Sequence, residues 1–180
     1  FATVLRTRVQ AIDDSVTLGS VGFGEEFGLW GRRDARKGWQ IGLQAGVMAQ
    51  FDLDAANSYP LINADYVVGI PVAWRRERAS ARLRFYHQSS HLGDEYLLQN
   101  PGATRIDVSF EELEGIVAYA IAGGHGRAYF GGGLLLHRHP AMERGKLLAG
   151  VEWRGRSRSR SLVQHRFMST LVAGAELKLL

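Results

Sequence analysis

The chain reads as all-β: an antiparallel transmembrane β-barrel, with an incomplete set of its strands in these 180 residues. Three observations predict this. Apolar and polar residues alternate over long segments, aromatics stand at both ends of the apolar faces, and the segments outrun soluble strands. From Trp39 to Phe51 every odd position is apolar, while the even positions read Gln, Gly, Gln, Gly, Met, Gln. A period of two puts these sets on opposite faces of a strand. Trp39 and Phe51 close the two ends of the apolar face, where membrane interfaces favour aromatic rings. In the next segment Ile62, Ala64, Tyr66, Val68, Ile70, Val72 and Trp74 oppose Asn63, Asp65, Val67, Gly69, Pro71 and Ala73. Pro71 cannot donate a ladder hydrogen bond, so a bulge or a lost bond is expected there. These segments run to about a dozen residues; a soluble strand has about 5 or 6 and a tilted membrane strand about 9 to 11. In a soluble sandwich or lipocalin-like barrel the apolar face would be buried and the polar face wet. Length, aromatic ends and glycines on the polar face, which leave room for long side chains, favour the membrane reading. On it, an arginine at Val47 should cost more than one at the inward Gln44.

The other elements follow in order. Thr3 to Val9 reads as a first strand, and 16–29 as a less regular second. Ala81, Leu83 and Phe85 oppose Arg82, Arg84 and Tyr86. Ile106, Val108 and Phe110 oppose Arg105, Asp107 and Ser109, and the phase slips in Glu111-Glu112-Leu113-Glu114, which suggests a bulge. Ala128, Phe130, Leu134 and Leu136 share a face interrupted by Gly132. Leu147, Ala149, Val151 and Trp153 oppose Gly150, Glu152 and Arg154, and residues 165–180 read as a ninth strand. Connections at 76–78 and 123–126 are tight; those at 54–60, 91–103 and 140–145 are longer. Outer-membrane barrels carry short periplasmic turns and longer outer loops, which puts 91–103 outside. Such barrels usually have even strand numbers, so an odd count implies further strands beyond these.

Composition narrows the classes. The length suits one domain over 1–180, and the absence of cysteine removes disulfide and thiol chemistry. No run of about 18 apolar residues forms a transmembrane helix, but a barrel strand shows lipid only one residue in two. The chain opens at Phe1 with no signal region, so any signal peptide has been removed or left out. The net charge is +4 and the pI about 9.7. Arg32, Arg33, Arg36, Lys37, then Arg75, Arg76, Arg78, then Arg154, Arg156, Arg158, Arg160 sit at segment ends with no recognition helix. They read as basic rims beside lipid phosphates, and no nucleic-acid partner is expected.

Four blocks carry a resemblance: Gly22-Phe23-Gly24-Glu25-Glu26-Phe27, Phe51-Asp52-Leu53-Asp54, Leu61-Ile62-Asn63-Ala64-Asp65-Tyr66, and the most specific, Phe85 to Tyr96. Together they resemble domain-of-unknown-function family 1207 of bacterial outer-membrane barrels. The resemblance implies a barrel that continues past Leu180 and implies no activity.

His87-Gln88-Ser89 is the sharpest candidate for chemistry. His87 and Ser89 are two apart, so both point to the side of Leu83 and Phe85, near the rim of the long loop. A histidine beside a hydroxyl can act as its base. The triplet is similar to that of outer-membrane phospholipase A and, more loosely, of the lipid A deacylase barrels. That resemblance implies a catalytic Ser89 and His87. The pattern departs at Ser90, where it calls for Asn. The orienting third residue should follow about a dozen positions on, where Asn100, Pro101 and Gly102 stand. Asn100, Glu95 and Asp94 are substitutes from the loop, and Asp107 has the right chemistry on the wrong face. The bland alternative is a polar patch of His87, Ser89 and His91 that meets lipid headgroups.

Other clusters carry less. Asp52, Asp54, Asp65, Asp94 and Glu95 could gather at the outer mouth and hold calcium, the one cofactor considered, but lack EF-hand spacing. His137 and His139 want a third metal ligand and read as surface. Arg82, Arg84, Arg105, Asp107, Glu152 and Glu176 should project inward as a salt-bridged filling. Glycines 131 to 133 form no phosphate loop, since no helix follows. The expected function is an integral outer-membrane barrel that is structural or binds lipid or a protein partner. The alternatives are a lipid acyl hydrolase using Ser89 and His87, and a small-solute pore.

Overall fold

A computed structural model describes residues 4–12, 16–34, 36–55, 58–102, 107–155, 158–162, 165–169 and 172–179. Nine strands form one antiparallel sheet: β1 (Val4–Ile12), β2 (Val16–Arg33), β3 (Lys37–Asp52), β4 (Leu61–Arg76), β5 (Ala79–Leu92), β6 (Val108–Ile121), β7 (Gly126–His139), β8 (Gly145–Arg154) and β11 (Val172–Leu179). Sequence neighbours pair throughout, with β11 on β8. Among the described residues β1 pairs with β2 alone and β11 with β8 alone, so the sheet is an incomplete barrel. A six-residue helix, Asp94–Gln99, lies in the β5–β6 connection. No helix among the described residues is long and apolar enough to cross a membrane.

Residues 165–180 do not form one strand. Val172 pairs with Arg154, and β9 (Arg158–Leu162) and β10 (His165–Ser169) pair with each other outside the main sheet. Serine and arginine alternate from 156 to 161, which leaves no apolar face to lay on the sheet.

One face of the sheet is apolar and exposed. Ile70, Leu83, Val117, Phe130, Leu147 and Val151 are each more than half exposed. The opposite face is polar and largely covered. Glu112 and Glu114 on this face are 3% and 5% exposed, and Tyr86 and Leu148 are buried on it as well. This face is concave, because its side chains reach across an intervening strand. Arg84 on β5 donates to the Gln44 carboxamide oxygen on β3 at 3.1 Å, and Lys146 on β8 lies 2.9 Å from Glu114 on β6. Glycines make the space, as the alternation implied. A Cβ on Gly133 would collide with the Glu112 carboxylate and Lys146, and one on Gly28 with Gln40.

Pro71 is fully buried against Gly42. The β3–β4 ladder is interrupted there and resumes in the same register, from Ile41↔Val72 to Gln44↔Gly69. The missing N–H therefore appears as a lost bond rather than a bulge. The real bulges lie elsewhere and turn side chains over. In β2 the register shifts between Gly28 and Trp30, so Leu29 and Trp30 both face outward. The slip expected within Glu111–Glu114 is a shift in the β6–β7 ladder whose extra residue is Leu136 on β7. β6 itself keeps strict alternation. Ser109, Glu111 and Leu113 face out with Ser89, His87 and Phe85, and Phe110, Glu112 and Glu114 face in. Phe110 accordingly packs edge-on against Tyr86 inside, and Asp107 faces out rather than in. Arg105 lies outside the described residues. Arg82, Arg84, Glu152 and Glu176 do project inward.

Candidate functional site

Two features of the outward face matter: a girdle of aromatics at one end and a polar notch near the other. All four tryptophans stand at the end of the tight turns. Trp30 shares a row with Ile41 and Val72; Trp39 and Trp74 pair one row lower. Tyr119 falls on the next row, beside Ala79, and Trp153 on the next, beside Gly126. The aromatics thus step down six residues over the six strand intervals from β2 to β8. With about 3.3 Å per residue and about 4.8 Å per strand, a level girdle requires strands tilted about 35°. That matches the tilt at which barrels close. Trp30 and Trp39 also pack edge to face, at 5.5 Å. At this tilt an apolar band about 25 Å tall covers about nine residues. On β4 that is Trp74 to Tyr66; on β6 it is Tyr119 to the region of Glu111.

The polar notch sits at that second boundary. β5 and β6 place His87 directly opposite Glu111, and Ser89 opposite Ser109. The His87 Nδ1 lies 2.7 Å from Glu111 Oε1, and the His137 Nδ1 lies 3.0 Å from Glu111 Oε2. One carboxylate thus bridges two imidazoles from two neighbouring strands. The bulge at Leu136 makes this geometry: even positions of β7 face out below it and odd ones above, which brings His137 out beside Glu111. Nearby, His91 Nδ1 lies 3.3 Å from Asp107 Oδ1, and its ring meets that of Tyr66 at 6.0 Å.

His87 and Ser89 share the outward face, as their spacing required, but among the described residues no hydrogen bond joins them. The His87 Nδ1 is held by Glu111 instead. An imidazole that donates from Nδ1 to a carboxylate keeps its Nε2 lone pair free as an acceptor. The carboxylate that contacts His87 thus comes from the facing strand, as Glu111, and not from the region of Asn100. Asn100 ends the short loop helix and bonds the Tyr96 carbonyl. Glu111 was hidden in sequence because it pairs with His87 through register, 24 positions away, in a stretch that reads as slipped.

The acidic set is dispersed. Asp65 accepts from Asn63 at 2.9 Å and from Ser90 on the concave side, and Asp52 caps the Asp54 amide at 2.9 Å. Among the described residues no three His, Asp or Glu side chains are arranged to hold a metal ion.

The family model described as "Protein of unknown function (DUF1207)" matches residues 1–168. No curated protein and no solved structure matches the chain.

Proposed function

We propose, from the premise that the chain belongs to the DUF1207 family of proteins of unknown function, that it is an integral β-barrel of the Gram-negative outer membrane, in contact with lipid along its convex face. One observation carries this reading: the apolar face is the exposed one, and a tilted aromatic girdle bounds it. A soluble protein rarely exposes so continuous an apolar surface. The arginines beyond the girdle suit lipid phosphates. Longer connections at the far end favour an outer-leaflet position for the polar notch, and the proposed role is structural or one of binding lipid or a protein partner there. The test is fractionation. The protein should sediment with outer membranes and require detergent; recovery as a soluble monomer in plain buffer sinks the reading.

A second reading, a lipid acyl hydrolase, is favoured by the His87–Glu111 pair. Acyl ester bonds lie where headgroups meet hydrocarbon, the level of this notch. There Ser89 would attack the ester carbonyl, His87 Nε2 would take its proton and return it to the leaving alcohol, water activated by the same nitrogen would then release the fatty acid from the acyl-serine, and Glu111 would hold the imidazole. The assay is fatty-acid release from phospholipid and lipid A in detergent. Activity in the parent, lost in Ser89→Ala and His87→Ala and lowered in Glu111→Gln, supports it. No release by the parent with calcium supplied, or release unchanged in Ser89→Ala, leaves the notch as a headgroup contact.

A further inference from the structure

The concave face is balanced in its middle and unbalanced at one end. Midway, Glu114 takes Arg82, Arg84 and Lys146, and Glu112 takes Lys146 and the Tyr86 hydroxyl. At the end of the tight turns a cavity of about 910 Å³ is lined by six cations, Arg32, Arg33, Lys37, Arg75, Arg82 and Arg127, and by one carboxylate, Asp34. Arg82 and Arg127 have their counter-ions in Glu114 and Glu152. Arg33 and Arg75 have no carboxylate partner among the described residues; the Arg75 Nε donates to the Glu77 carbonyl at 3.5 Å.

The register gives these two a definite relation. Arg33 on β2 pairs with Gly38 on β3, and Gly38 pairs with Arg75 on β4. Both arginines project to the concave side, as Ala73 and Arg82 do. They flank a residue without a side chain, across two strand spacings, or about 9.6 Å of backbone. A Cβ at Gly38 would press on the Arg32 carbonyl at 2.8 Å, so the gap is enforced. Ala73, Ser80 and Ala118 keep the rest of the floor low. Two guanidinium groups that line one cavity on either side of a glycine, without a carboxylate partner, offer donors that match the oxygens of a phosphate. They also raise the local concentration of any anion in the cavity.

We propose that this mouth of the barrel wall is a binding site for a phosphate-bearing ligand, clamped between Arg33 and Arg75 over Gly38. The phosphate belongs to a free solute or to a lipid headgroup, and the experiment separates the two. The full chain in neutral detergent is titrated calorimetrically with inorganic pyrophosphate, with glycerol phosphate, and with micelles doped with phosphatidylglycerol. Pyrophosphate should bind in the parent and weaken about tenfold or more in Arg33→Gln and in Arg75→Gln. It should be unchanged in Arg76→Gln, since Arg76 is next to Arg75 in the chain but does not line the cavity. Affinity should fall as salt rises. Glycerol phosphate that competes with pyrophosphate assigns a solute; competition by doped micelles alone assigns a headgroup. Absence of pyrophosphate binding in the parent, or equal loss in Arg76→Gln and Arg75→Gln, overturns the proposal.

Discussion

Arginine in place of Ile70 should cost about 2–4 kcal/mol of folding free energy in lipid vesicles. Ile70 is 52% exposed on the convex face and lies halfway between Trp74 and Tyr66, the ends of the apolar band on β4. On the outer-membrane reading proposed above, a guanidinium there would sit at the bilayer midplane, too deep to snorkel easily to either interface. Val47 looks equivalent in sequence, but it pairs with Tyr66 at the boundary of the band. Arginine at Val47 should therefore cost only about 0–1 kcal/mol. Gln44 is a poor inward control, because its carboxamide already accepts from Arg84 and a second guanidinium would repel the first. Gln88, inward beside Val67, serves better, and Gln88→Arg should be tolerated. Denaturant unfolding in vesicles measures all three. Equal losses at Ile70 and Gln88 would mean that the convex face does not meet lipid.

Glu114→Ala should cost about 3–5 kcal/mol, the range for breaking a buried ion pair from one side. Glu114 is 5% exposed and lies 3.2 Å from Arg82, 3.0 Å from Arg84 and 2.9 Å from Lys146. Its removal leaves three cations facing one another with Glu112 as their remaining acid. Replacing Glu114 and Lys146 together by apolar residues of similar size should cost less than Glu114→Ala alone, because no charge is then stranded on that side. A double-mutant cycle reads the coupling directly. Additive losses would mean that the cluster acts as separate surface charges.

Most of the fold was legible because strand alternation is a property of neighbours in sequence. The apolar faces of 39–51 and 62–74, the nine-strand count of the sheet and the sharing of one face by His87 and Ser89 all follow from a period of two. The inward placement of Arg82, Arg84, Glu152 and Glu176 follows from it as well. The candidate site was half legible for the same reason. The i, i+2 pair is written in the chain, whereas Glu111 and His137 join it only through pairing across β5, β6 and β7.

What the sequence determined by itself is which residues of each strand travel together. The tertiary structure alone decided which strands' residues meet, and it did so mainly through inserted residues. One extra residue at Leu29 turned Trp30 out to the girdle, and one at Leu136 turned His137 out to Glu111. A single insertion flips every later side chain to the other face at no cost to local propensity, so the residue string carries little trace of it. Arg33 and Arg75 came to flank Gly38 by the same means: register sets them two strands apart, though 42 positions separate them in the chain.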